Sequence, residues 1–275
     1  MTPILSVIQK PVEADLLRFE TLFSESFTGV PVPLEEVLSH VTSVKGKRLR
    51  PMLVFLTARL FGEPCDATMR TALFVEMIHT ATLIHDDVVD ASPERRGKPS
   101  VHVHWDVPTA VLSGDYLLAK AIRLLADPDN LPILQEMMDT AQAMSEGELM
   151  QRGVESGKWK VESEDQKYRE IITRKTAMLF RSCCMGGAMS VGAPKESLVL
   201  ISDFGLNLGM VFQMRDDILD DDDPETTKMA EALLPEYLEK TKAALEALRT
   251  VTADLSVDVL ESLRTLALFC AERHH

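Results

Sequence analysis

Asp86-Asp87-Val88-Val89-Asp90 and, far downstream, Asp216-Asp217-Ile218-Leu219-Asp220 repeat one carboxylate spacing. Each run closes a long apolar-periodic stretch, so each is expected to end a helix. There the first and last Asp of a run, four positions apart, share a face with the middle Asp beside them. Carboxylates crowded in this way repel one another and are costly near a core unless a cation lies between them. Hard divalent ions prefer oxygen ligands, and Mg²⁺ is usually held by a few carboxylates, waters and phosphate oxygens. Two such clusters facing each other would form a multi-metal clamp for a diphosphate. One cluster alone reads equally well as a solvated helix end; the pair favours the metal.

Cations accompany the runs. Arg95-Arg96-Gly97 follows Asp90 closely, and paired guanidiniums suit diphosphate oxygens. Gly46-Lys47-Arg48-Leu49-Arg50-Pro51 is a second candidate anion pocket, and Arg174-Lys175-Thr176 lies in an apolar setting. Gln213 precedes the second run. Each has a plain alternative: a surface pair for Arg95-Arg96, a helix entry with snorkelling stems for Lys47, Arg48 and Arg50, a bundle-edge lysine for Lys175. His79 and His85 read as satisfied core histidines, Asp221 to Asp223 as a solvated turn, and Met77, Met138, Met144 and Met150 as core filler.

Helices must position these residues. Periodicity predicts them over Arg50–Phe61, Asp66–Asp90, Pro108–Ala126, Leu131–Glu155, Ser163–Val191, Lys195–Asp220, Glu225–Thr250 and Ser256–Glu272. Thr28 to Pro33 and Gly62-Glu63-Pro64 punctuate the N-terminal part, and Ala91–His104 reads as a loop. No alternating β-branched run competes, and no linker divides the chain. The expectation is an all-α fold, one single-domain helical bundle over residues 1–275 with a central cavity.

Composition narrows the partners. The 275 residues are 45% hydrophobic and 26% charged, as in a soluble globular protein able to bury a large core. A formal charge of −14 argues against nucleic acid and against attachment to an anionic membrane. Cys65, Cys183, Cys184 and Cys270 lack metal-site spacing and read as reduced thiols. With no leader pattern and no apolar run of membrane-spanning length, a cytoplasmic protein without stable membrane insertion is expected. His274-His275 resemble the remnant of a tag and carry no functional weight.

In order along the chain, Gly46-Lys47-Arg48-Leu49-Arg50-Pro51, Glu76 to Asp90, Arg95-Arg96-Gly97, Gly114-Asp115-Tyr116, Lys175-Thr176-Ala177 and Phe212 to Asp220 form a recognisable set. Over roughly Val44 to Asp220 the chain resembles the trans-isoprenyl diphosphate synthases, or polyprenyl synthetases, most closely the bacterial long-chain members. The resemblance implies an isoprenoid-synthase-type bundle, a homodimer, and condensation of isopentenyl diphosphate with an allylic diphosphate. It implies that Asp86, Asp87, Asp90 and Asp216 hold Mg²⁺, three ions with the bound diphosphate, with Asp217 and Asp220 as further ligands. Arg95 and Lys175 would contact the allylic diphosphate, and Lys47, Arg50, His79 and Arg96 the isopentenyl diphosphate. Thr176 and Gln213 would line the reacting centre. Where short-chain members carry bulky aromatics, this chain has Ala81 and Thr82, which implies a longer product.

One departure stands out. After the second run the family carries a Gly-Lys loop, an Asp, a second Gly-Lys and a further helix start, whereas here Asp221-Asp222-Asp223-Pro224 leads straight into Glu225-Thr226-Thr227-Lys228. The domain is expected to be shortened after Asp220; Lys228 is the one cation nearby and is not expected to replace the missing lysines. Two alternatives follow: a non-catalytic subunit of a heteromeric synthase, or a class I terpene cyclase. The cyclase is disfavoured because it has no use for Lys47, Arg50, His79 and Arg96.

Overall fold

The computed structural model describes residues 3–44, 46–158, 163–252 and 255–273; His274-His275 lie outside them. Short helices α1 (Pro3–Ile8), α2 (Glu13–Glu25) and α3 (Val32–Thr42) flank the main bundle. The bundle is built from α4 (Leu49–Phe61), α5 (Asp66–Val89), α7 (Val107–Leu125), α8 (Leu131–Glu155), α9 (Glu164–Ile172), α10 (Met178–Ser190), α11 (Lys195–Asp220), α12 (Pro224–Val251) and α13 (Val257–Glu272), with the one-turn α6 (Val101–His104) ahead of α7. Their apolar faces close over a core that includes Phe19, Phe55, Phe74, Phe180 and Phe204, each at most 1% exposed. A smaller cluster of Tyr168, Ile172, Ala177, Met210, Met214, Ala230 and Leu233 ties α9, α11 and α12 together beneath the second Asp run.

The Ala91–His104 stretch is not plain loop. Glu94–Arg95 (β1) and Lys98–Pro99 (β2) pair antiparallel around Arg96-Gly97, whose φ angles of 53° and 78° are those of a tight hairpin turn. Gly97 suits that geometry; Arg96 adopts it at a cost in backbone strain. The expected helix Ser163–Val191 is likewise interrupted. Residues Thr173–Ala177 form a π turn between α9 and α10, a widening that often marks functional positions.

Glycines let helices approach this turn. A Cβ on Gly209 of α11 would lie 2.5 Å from Ala177 Cα, and one on Gly147 of α8 2.8 Å from the Lys175 nitrogen. Gly209→Ala is expected to destabilise the protein by about 2 kcal/mol, roughly 4–8 °C in Tm, measurable by calorimetry. Gly114 of α7 similarly admits His85, whose Nε2 bonds the Val111 carbonyl at 3.1 Å; with 28% of its side chain exposed, His85 is satisfied but not the core residue expected.

By length and composition alone α11 is apolar enough to cross a membrane, although Asp203 interrupts its apolar run. Half of its most apolar stretch is buried, with Ile201, Phe204, Leu208 and Val211 in the core, as befits a central bundle helix. The α11–α12 junction is short and closed. Asp221, at φ 49°, caps α11, and the Asp223 carboxylate accepts the Thr226 N–H at 3.1 Å to start α12.

Candidate active site

Two cavities open on the interior side of these helices and share a wall. One, of about 730 Å³, is lined by Lys47, Arg50, His79, Arg95, Arg96 and Asp216, together with Arg273. The other, of about 720 Å³, is lined by Gln151, Lys167, Tyr168, Lys175, Asp217 and Asp222. Thr176 and Gln213 border both. The first cavity is dominated by guanidinium and ammonium groups, the second by carboxylates with two lysines.

The cationic cavity draws on two loops. Arg48, at φ 53°, precedes α4 and turns away from the cavity centre into an ion pair with Glu20 at 2.7 Å and a second with Glu76. Arg48, Lys47 and Arg50 all line the cavity, but Arg48 is neutralised there by its carboxylate partners. Arg50 lies over the Phe180 ring at 5.1 Å, and its buried Nε has no hydrogen-bond partner, a donor poised for an anion. The hairpin supplies Arg96, whose guanidinium packs over Gly46; a Cβ there would lie 3.2 Å from its Nη2. Burial, followed by the charges of Arg50, Arg96, Arg95 and Arg48, holds the His79 imidazole well below its ordinary pKa.

The first Asp run divides by burial and partners. Asp87 is 4% exposed and accepts Arg95 Nε at 2.8 Å and Nη2 at 2.5 Å. That pair fastens the hairpin to the end of α5 and engages the arginine expected at the allylic diphosphate. Asp86 is half-buried, and Asp90 caps the helix in the open. Burial, then Glu148 and Asp90, push the Asp86 carboxyl up to about 6 against the opposing pull of Lys175 and Arg95. Lys175 reaches this site from the π turn, bonded to Glu148 at 2.7 Å and Gln151 at 3.0 Å, whereas Arg174 pairs with Glu146 on the neighbouring face.

In the second run, Asp216 accepts Arg273 Nη2 at 2.5 Å, and burial raises its pKa despite that partner. Arg273 also lies 4.0 Å over the Phe212 ring and donates to the Phe212 carbonyl. Asp217 accepts Tyr168 Oη at 2.5 Å and Gln213 Nε2 at 2.8 Å, and Gln213 Oε1 accepts the Thr176 hydroxyl at 2.7 Å. Asp220 is exposed at the helix end. Lys228 is exposed and does not line the cavity; Lys167 does.

Carboxylate oxygens are the donors a hard divalent ion takes. Asp86 and Asp216 carry carboxyl groups raised by burial, the state expected of acids that lack a full complement of positive charge. Among the described residues no three Asp, Glu, His or Cys side chains converge closely enough to hold an ion unaided, so an ion there would draw on phosphate oxygens and water, as Mg²⁺ does. Because metal binds the ionised carboxylate, Mg²⁺ affinity is expected to fall as pH drops below the Asp86 value of about 6, by up to tenfold per pH unit. Titration calorimetry in two buffers at about pH 5.5 would also show a proton released on binding.

Residues 31–231 match the polyprenyl synthetase family model. The chain belongs to the polyprenyl synthetase family. It is 36% identical over 214 residues to an all-trans-nonaprenyl-diphosphate synthase (geranyl-diphosphate specific) of Rhodobacter capsulatus, a match covering 78% of this chain and 65% of that protein. It is 37% identical over 203 residues to a geranylgeranyl diphosphate synthase of Sulfolobus acidocaldarius, covering 71% of this chain and 61% of the relative. These matches thus span less than two thirds of the relatives' lengths. A polyprenyl synthase from Caulobacter crescentus, solved with calcium and isoprenyl diphosphate, superimposes with a TM-score of 0.82 over 98% of both chains at 27% identity. The all-α isoprenoid-synthase fold expected of the chain is the one observed. Its sequence motifs pointed to Lys175, Thr176 and Gln213 but not to Tyr168 or Arg273, whose partners lie 49 and 57 residues away.

Proposed function

We propose that this chain is a Mg²⁺-dependent prenyltransferase that condenses isopentenyl diphosphate with an allylic diphosphate to give a longer polyprenyl diphosphate. The observation that carries the reading is the meeting of a cation-lined and a carboxylate-lined cavity at Thr176 and Gln213. Two diphosphates held in the two cavities would bring their carbon ends to that shared wall.

Lys47, Arg50, His79 and Arg96 bind the diphosphate of isopentenyl diphosphate, with Arg273 completing the wall. Asp86, Asp90, Asp216 and Asp220 would hold the metal ions, with Asp87 and Asp217 behind them; of these four, Asp216 lines the cationic cavity and the others border neither cavity. The chemistry Mg²⁺ supplies when bound is neutralisation of the diphosphate that leaves the allylic carbon. Lys175 donates to that diphosphate and adds to the same stabilisation; Lys167 offers a further cation on the wall beside the short α11–α12 junction. As the C–O bond breaks, Thr176 Oγ1 and Gln213 Oε1 present lone pairs to the developing allylic cation. The isopentenyl double bond attacks the cation, and the proton then lost goes to the departing diphosphate. The apolar bundle keeps water from the cation.

Ala81 and Thr82, one turn before the first run, leave no aromatic barrier there, which supports a long product. The exposed apolar residues Val107, Val111, Leu112 and Ile122 on α7 suit pairing of two copies, and the buried free thiols Cys183, Cys184 and Cys270 suit a reducing cytoplasm. Incubation with farnesyl and isopentenyl diphosphates tests both levels. An extended product supports the activity, and products stopping after one addition would contradict the length reading.

A further inference from the structure

We infer that Tyr168 and Asp217 are positioning residues that lock the Gln213 amide with its oxygen toward Thr176 and the meeting point of the two cavities; this deepens, and rests on, the prenyltransferase reading. Gln213 and Asp217 stand four apart on α11, on one helix face. Tyr168 on α9 and Thr176 on the π turn approach that face from the neighbouring segment. The four side chains form one hydrogen-bonded sequence. Tyr168 Oη donates to Asp217 Oδ2 at 2.5 Å, Gln213 Nε2 donates to Asp217 Oδ1 at 2.8 Å, and Thr176 Oγ1 donates to Gln213 Oε1 at 2.7 Å.

The direction of every bond follows from Asp217. Its two oxygens accept from Tyr168 and from Gln213, so the end of the Gln213 amide that faces it is the NH₂. The amide oxygen then lies at the other end, and it accepts the Thr176 proton. With that proton committed, Thr176 presents its oxygen lone pairs rather than a positive hydrogen to the rest of the site. Both residues border both cavities, so the lock leaves electron-rich oxygens where the allylic cation forms. Without it the amide can turn over and offer its NH₂ hydrogens, which repel a cation. Tyr168, 9% exposed within the small core beneath α11, fixes the carboxylate from its other side.

Asp217 is therefore assigned to orientation rather than to metal, although it sits in the second Asp run. The same full-length protein tests this in three variants, Tyr168→Phe, Asp217→Asn and, as a metal-ligand control, Asp216→Asn. Tyr168→Phe is expected to lower kcat about tenfold, the scale of one charge-assisted hydrogen bond, with both KM values within about twofold. Asp217→Asn is expected to lower kcat further, while the Mg²⁺ concentration giving half-maximal thermal stabilisation with inorganic diphosphate stays within about twofold. Asp216→Asn should raise that concentration about tenfold or more. An Asp217→Asn shift as large as that of Asp216→Asn, or an unchanged kcat in Tyr168→Phe, would overturn the assignment. If Asp217→Asn does not fold, Tyr168→Phe decides through its kcat and KM values. A wild-type protein that binds Mg²⁺ and diphosphate but forms no product refutes the prenyltransferase reading instead, and the Mg²⁺ titrations still decide whether Asp217 is a ligand.

Discussion

Asp86→Asn is expected to lower kcat by about a thousandfold while leaving the metal-free protein at least as stable as the wild type. The activity loss follows from removing a carboxylate from the group that gathers positive charge around the leaving diphosphate, where a single preorganised electrostatic contact is worth about 10²–10³ in rate. The stability result follows from the sign of the pKa shift. The folded-state carboxyl titrates at about 6, above its unfolded value of 3.8, so the folded protein binds the proton more tightly than the unfolded chain. Stability from this group is full below the unfolded value and is lost as pH rises through the folded one. At pH 7 the ionised Asp86 is therefore a burden that Asn removes. Calorimetry without metal at pH 7 and a steady-state assay with Mg²⁺ check the two halves. A large fall in Tm would mean that Asp86 supports the fold.

The second large effect concerns the cationic cavity. Arg96→Ala is expected to raise KM for isopentenyl diphosphate by about 10–100-fold, the worth of one or two charge-assisted hydrogen bonds, and to leave KM for the allylic substrate nearly unchanged. Arg96 is a better probe than Arg50, because Arg50 is buried against Phe180 and its loss opens a hole in the core. Arg96 stands on a surface hairpin whose attachment to α5 is made by Arg95 and Asp87. Initial rates over a grid of both substrates separate the two constants. Equal rises in both would place Arg96 at a site common to the two substrates.

Much of the scaffold was legible because helix boundaries here obey local rules. Lys195–Asp220 and Leu131–Glu155 match the observed α11 and α8, and Asp66–Asp90 differs from α5 by one residue, the cap itself. The failures have local causes. A π turn adds one residue to a helical ladder, so the apolar pattern of Ser163–Val191 passes through Thr173–Ala177 almost unchanged. The hairpin at Arg96-Gly97 was read as loop because Arg is an unusual choice for a left-handed turn position.

At the site, residue type and spacing pointed to Asp86, Asp216, Lys175, Thr176 and Gln213, but not to how they are engaged. Neighbouring basic residues look alike in a sequence; only the fold shows that Arg48, though it lines the same cavity as Lys47 and Arg50, is engaged by Glu20 and Glu76. Asp217 looks like its neighbour Asp216, yet the two face opposite cavities and bond different partners. Arg273 follows the last helix, where a cation reads as a partner of the helix dipole, and nothing local announces its contact with Asp216. Lys167 was not among the expected site residues because distance along the chain from the second run is a poor guide to distance across a cavity wall.

The most direct test of the central claim is Mg²⁺-dependent incorporation of radiolabelled isopentenyl diphosphate onto farnesyl diphosphate by the purified chain. The two-cavity account predicts labelled, extended prenyl diphosphates that vanish with chelator and return with Mg²⁺. Binding of both diphosphates with Mg²⁺ but no labelled product would contradict it, and would mark the chain as a non-catalytic partner whose short α11–α12 junction leaves the site unable to react.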